Sequence, residues 1–62
     1  MPFIQIYMAE GRTPQQKREI AQVVTKEVAR IAKAKEENVK IYFFDLKPEN
    51  MAAAGTLRID EP

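Results

Sequence analysis

Residues 2–17 read PFIQIYMAEGRTPQQK, and this stretch decides the fold. In its first half, apolar side chains at Ile4, Ile6 and Met8 recur at every second position, which is the period of a β-strand. In its second half, Thr13 can cap a helix and Pro14 suits the first helical position. The stretch therefore predicts a strand over 3–8 followed at once by a helix.

The helix that follows is marked by its start and by its apolar stripe. Gln16 stands three residues after Thr13 and can complete a capping box. Apolar residues then recur at helical spacing: Ile20, Ala21, Val24, Val28, Ile31 and Ala32. We predict that this stripe packs on a sheet and that the helix ends in the polar segment 34–38.

A second strand is predicted over 39–46, where β-branched and aromatic residues dominate. The strand is apolar on both faces, with Val39, Ile41 and Phe43 on one face and Tyr42, Phe44 and Leu46 on the other. A strand of this kind is buried on both sides. One helix covers only one face, so the simplest cover for the other face is another copy of the chain.

Strand, helix and strand in this order form a βαβ unit with parallel strands and a right-handed crossover. Pro48 ends the second strand, and Gly55 offers a turn before a short terminal strand or hairpin arm over 56–60. The predicted fold class is α+β, with residues 1–62 as a single domain that ends in a short C-terminal hairpin.

Composition limits how this chain can be stabilised and what it can bind. A domain of 62 residues is marginal as a monomer, and without cysteine or histidine it has neither disulfides nor the usual zinc ligands, so oligomerisation is expected. A net charge of +1 argues against nucleic acid as a partner. No apolar run is long enough to cross a membrane, and no signal peptide precedes the first strand. We expect a cytoplasmic protein.

Pro2 is the residue with unusual chemistry. Methionine is normally removed before a small residue, which would leave Pro2 with a free secondary amine. A free α-amino group titrates at about 7.7–8.0, whereas a peptide-bonded proline nitrogen is not a base. With no histidine in the chain, this amine is the natural candidate for proton transfer near neutral pH.

These residues resemble the 4-oxalocrotonate tautomerase family, the small members of the tautomerase superfamily. The resemblance rests on Pro2 at the head of an alternating strand, then Glu10-Gly11-Arg12-Thr13, then Gln16-Lys17 in the first helical turn. It covers essentially the whole chain.

The resemblance implies a cofactor-independent isomerase that uses neither a metal nor an organic cofactor. Its amino-terminal proline would act as general base and acid, converting a 2-hydroxydienoate or an enol of a 2-oxo acid to the ketone. It further implies that two chains form a four-stranded sheet with two helices, and that three such dimers form a homohexamer. The partner would be a small carboxylate substrate, and family members of this kind take part in the degradation of aromatic compounds.

Three further site residues follow from the resemblance. Arg12 matches an arginine that binds a substrate carboxylate, a task suited to its planar fork. Lys40 stands where the best-known members carry a second arginine, and it can still stabilise an enolate oxygen. Met51 stands where they carry an aromatic wall, and it can still supply an apolar one. The expected catalytic residues are therefore Pro2, Arg12 and Lys40, with Arg12, Lys40 and Met51 binding substrate.

Two alternatives stay open from the sequence. Relatives with an amino-terminal proline also hydrate or dehalogenate 3-haloacrylates, but that reaction should need a carboxylate to activate water, and residues 50–54 contain none. The second alternative is an oligomeric scaffold without catalytic activity. A retained Met1 would favour it, because the nitrogen of Pro2 would then be an amide.

Overall fold

The computed structural model of residues 1–62 contains one long helix, two parallel strands and a small hairpin. The strands and helix are β1 (Phe3–Ala9), α1 (Pro14–Ala32), β2 (Lys40–Leu46), β3 (Ala52–Ala53) and β4 (Thr56–Leu57). Single 3₁₀ turns occupy Glu36–Asn38, Pro48–Asn50 and Arg58–Asp60.

The two long strands pair in parallel, in a register that runs from Phe3 opposite Lys40 to Ala9 opposite Leu46. Helix α1 connects them, because parallel neighbours need a crossover. The predicted α+β class and the βαβ unit are confirmed.

Helix α1 begins with the predicted capping box. The Thr13 hydroxyl accepts a hydrogen bond from the Gln16 N–H at 3.2 Å, and the Gln16 side chain accepts one from the Thr13 N–H at 2.9 Å. Pro14 takes the first helical position. At the other end, Lys33 adopts the left-handed conformation and its N–H donates to the Ala29 carbonyl, which ends the helix before the polar segment.

The core between α1 and the sheet is thin. Only Ala29 and Val39 are buried. Half-buried apolar residues surround them: Ile4, Ile6, Met8, Ile20, Val24, Val28, Ile41 and Phe43. The predicted stripe was wrong at its C-terminal end, because Ile31 is 70% exposed and Ala32 is also exposed. Nineteen helical residues span about 28 Å and seven strand residues about 23 Å, so the last turn extends past the sheet.

The other sheet face has no cover within the chain. Its large side chains are exposed: Phe3, Tyr7, Tyr42 and Phe44. The rings of Tyr7 and Phe44 stack, with centroids 4.8 Å apart. The two faces of β2 are thus both apolar, as predicted, but one chain buries only the face toward α1.

The C-terminal hairpin is shorter than predicted. β3 and β4 pair two residues each, and the turn between them places Ala54 and Gly55 at positive φ, as two-residue hairpin turns require. The expected strand over 56–60 was wrong beyond Leu57, because Arg58–Asp60 forms a 3₁₀ turn. The partner strand begins only at Ala52, so after the Arg58 N–H donates to the Met51 carbonyl there is no further strand to pair with.

Candidate active site

Pro2 and Lys40 lie side by side where the two parallel strands begin. The Pro2 carbonyl accepts a hydrogen bond from the Lys40 N–H at 3.0 Å, just before the pairing of Phe3 with Lys40. Pro2 is half-buried, whereas Met1 is 73% exposed. The Met1 carbonyl carbon forms the amide bond to the Pro2 nitrogen. Cleavage after Met1 would therefore leave a secondary amine at this edge with its backbone already fixed to β2.

The Lys40 side chain is exposed and folds back on the turn before β2. Its ammonium donates to the Glu37 carbonyl at 3.2 Å. An ammonium has three N–H donors, so this contact leaves two for an anion. Lys40 can therefore bind an anion without breaking its bond to the turn.

Arg12 lies at the opposite end of β1, in the loop that leads into α1. Seven residues of strand separate this loop from Pro2, which corresponds to about 23 Å. Arg12 is exposed, and its guanidinium takes part in no salt bridge or side-chain hydrogen bond. Within one chain, Arg12 is therefore far from the edge that holds Pro2 and Lys40. A site that contains all three residues needs more than one chain.

Met51 follows β2 after the 3₁₀ turn and is half-buried. It lines an open cavity of about 170 Å³ with Ala52, Ala53, Arg58 and Glu61. A second hollow lies along α1 and contains none of the predicted site residues. Neither cavity includes Pro2, and Met51 comes after the end of β2 that lies opposite the Pro2 and Lys40 edge.

One charged contact was missed from the sequence. The Lys17 ammonium donates to an Asp45 carboxylate oxygen at 2.6 Å and joins the first turn of α1 to β2. The signal was present in β2, because Asp45 follows Ile41 and Phe43 at the period-two positions that face the helix. A charge at such a position predicts a partner on the element that covers it.

These features define a small βαβ enzyme with a proline at the head of its first strand. The chain belongs to the tautomerase family, whose model, described as tautomerase enzyme, matches residues 2–59. The resemblance to 4-oxalocrotonate tautomerases is confirmed, and the protein is an isomerase.

Two curated relatives illustrate this membership. A protein named as a probable tautomerase of Streptococcus pyogenes serotype M3 is 46% identical over 58 residues, covering 94% of this chain and 95% of the relative. The 2-hydroxymuconate tautomerase of Comamonas testosteroni is 40% identical over 55 residues, covering 89% of this chain and 87% of the relative.

Solved structures show the same architecture. YwhB, described as a homologue of 4-oxalocrotonate tautomerase, superposes with a TM-score of 0.93 at 31% identity, covering 98% of this chain and 100% of that one. A heterohexamer 4-oxalocrotonate tautomerase from Chloroflexus aurantiacus J-10-fl superposes with a TM-score of 0.88 at 23% identity, covering 97% of each chain, which shows the shared fold.

The remaining features of the molecule bear on binding. The one long helix, α1, lacks the length of apolar sequence needed to cross a membrane. The structure contains no group of three or more acidic, histidine or cysteine residues arranged to hold a metal ion.

Proposed function

We propose that this tautomerase ketonises enols of 2-oxo acids, with Pro2 as the proton carrier once Met1 is removed. The observation that carries the proposal is the half-buried Pro2 at the edge of the sheet, fixed to β2 through the Lys40 N–H. A free amine there can remove the hydroxyl proton of an enol and return a proton to carbon. The reaction is a proton transfer and needs no cofactor.

Arg12 and Lys40 have separate roles in this proposal. Arg12 anchors a substrate carboxylate, since its guanidinium is exposed and has no ionic partner in the chain. Lys40 stabilises the oxygen that carries negative charge when the hydroxyl proton leaves, using the donors that the Glu37 carbonyl does not occupy. Met51 supplies an apolar wall beside the hydrocarbon part of the substrate.

We further propose that neighbouring chains complete the site, because Arg12 and Met51 lie away from Pro2 within a single chain. The shape of the chain supports this assembly. Its radius of gyration is 14.9 Å, whereas a compact chain of this length would have about 11 Å. Its accessible surface is 5030 Å², whereas a folded monomer of this mass exposes about 4,100 Å². The chain therefore exposes surface that a second copy would cover.

The proposed assembly is a homohexamer of three dimers. Two chains would extend the parallel pair into a four-stranded sheet, with both helices on one face. The exposed aromatic face, defined as Phe3, Tyr7, Tyr42 and Phe44, would then be buried between dimers. A place in the degradation of aromatic compounds and a cytoplasmic location stay predictions from the sequence.

The experiment that tests the function is an assay of 2-hydroxymuconate ketonisation by protein whose mass shows that Met1 is absent. We expect catalysis well above the buffer reaction, and we expect none from a chain that retains Met1. Equal rates for both chains would contradict a role for the Pro2 amine.

A further inference from the structure

The Lys17–Asp45 pair joins residues that lie 28 positions apart in the chain. Its 2.6 Å distance and the 25% exposure of the Lys17 side chain distinguish it from the other salt bridge, between Glu27 and Arg30, which lies within α1 and is far more exposed. It is the one ion pair that links two elements of the fold.

Lys17 is unfavourably placed within its own helix. Lys17 is in the first turn of α1, where the partial positive charge of the helix end disfavours a cation, and that turn has no acidic residue to compensate. Asp45 is on β2 in the same alternation as Ile41 and Phe43, but unlike them it is exposed, with 44% of its side chain accessible. The Asp45 carboxylate compensates the charge of Lys17, so the pair holds the first turn of α1 against the end of β2.

This contact between α1 and β2 also restrains the loop that carries Arg12. At the start of the loop, the Glu10 N–H donates to the Leu46 carbonyl at 2.9 Å. At its end, Thr13 is held by the capping box, and one residue beyond that box Lys17 reaches Asp45. The segment from Glu10 to Lys17, which contains Arg12, is therefore attached to the end of β2 on both sides, at Leu46 and at Asp45.

We propose that Lys17 and Asp45 are positioning residues that orient Arg12 for the substrate carboxylate. The proposal rests on the proposed role of Arg12. A guanidinium must present its fork in the plane of the carboxylate, so a small rotation of the first helical turn weakens the bidentate contact. Loss of the pair then raises KM for carboxylate substrates and leaves the proton transfer at Pro2 unchanged.

The experiment is a double-mutant cycle between Lys17 and Arg12 with 2-hydroxymuconate as substrate. Lys17→Met keeps the length of the side chain and removes its charge. We expect it to raise KM about 3- to 30-fold, the usual range for coupled neighbours, while kcat changes little. In an Arg12→Ala background, Lys17→Met should cause no further rise in KM.

Three other variants sharpen the test. Asp45→Asn removes the other charge of the pair and should raise KM as Lys17→Met does. It keeps the test available if Lys17→Met folds poorly. Lys17→Arg keeps the cation and should restore KM. Arg30→Met is the matched control, because it removes one positive charge and the ion pair within α1 and should leave KM unchanged.

The outcomes separate this proposal from the proposed function. If Arg12→Ala itself leaves KM unchanged, the carboxylate anchor has been assigned to the wrong residue. If Arg12→Ala raises KM but Lys17→Met and Asp45→Asn do not, or if their effects add fully to that of Arg12→Ala, the positioning role is overturned. An equal rise in KM for Arg30→Met would also overturn it, since the effect would then be one of net charge.

Discussion

At the scale of single residues, the proposed chemistry depends on whether the nitrogen of Pro2 is an amide or an amine. Pro2 needs no N–H for the sheet, because it precedes β1 and contributes only its carbonyl to the Lys40 N–H. Removal of Met1 would thus cost the fold no backbone hydrogen bond. The same residue can serve as the start of a strand and as a base.

We predict that ketonisation by the processed chain rises with pH through the pKa of the Pro2 amine, because only the neutral amine accepts a proton. A free α-amino group titrates at about 7.7–8.0, so the rise should fall near neutral pH. The measurement is the pH profile of kcat/KM. Pro2→Ala should reduce activity without abolishing it, because a primary amine remains. A flat profile between pH 5 and about 9 would exclude the amine as the base.

We also predict that Arg12→Ala impairs the use of a dicarboxylate enol far more than Lys40→Ala does. A charge-assisted bidentate contact contributes about 2–4 kcal/mol, whereas a flexible, hydrated ammonium contributes less. Comparison of kcat/KM for the two variants tests the ranking. A larger loss for Lys40→Ala would show that Lys40 is the main anchor.

At the scale of elements, local hydrogen bonds set the boundaries of α1 and of the hairpin. The capping box satisfies orphan N–H groups at the start of α1, and Lys33 in the left-handed conformation ends it. The hairpin is limited instead by its partner strand, since β3 offers only Ala52 and Ala53. An alternating sequence alone was not sufficient to extend β4.

We predict that Thr13→Ala lowers the free energy of unfolding by about 1 kcal/mol, because the Gln16 N–H loses its acceptor. Thr13→Ser is the matched control and should unfold like the original chain. Urea unfolding at one fixed protein concentration measures the difference, since assembly also contributes to stability. Equal losses for the two variants would show that the hydroxyl acceptor is not the cause.

At the scale of the whole molecule, the chain exposes large apolar side chains on both its sheet and its helix. Only two residues are buried, and the exposed aromatic face lies opposite α1. On α1 itself, Val23 and Ile31 are 62% and 70% exposed. Exposed apolar surface is typical of interfaces, and it supports the proposed assembly.

We predict that the processed chain sediments as a species larger than a dimer at micromolar concentration. Phe44→Glu should produce smaller species, because it places a charge in the stacked pair with Tyr7. Lys35→Glu, which also adds negative charge at an exposed position, should leave the assembly intact. Analytical ultracentrifugation measures the size of the species that each variant forms. A well-folded monomer would contradict the proposed site as well as the assembly.

The sequence by itself determined the features that depend on near neighbours. Period-two alternation specified β1, a run of β-branched and aromatic residues specified β2, and Thr13 with Gln16 specified the start of α1. These signals involve residues only a few positions apart. The motif residues also indicated the family. Pro2 and Arg12 could be named in this way.

The tertiary structure decided what depends on distant residues. It showed that Asp45 meets Lys17, that Ile31 extends past the sheet and that Arg58–Asp60 turns instead of pairing. Each of these outcomes depends on the relative length and register of elements far apart in the chain, and local periodicity contains no information about them.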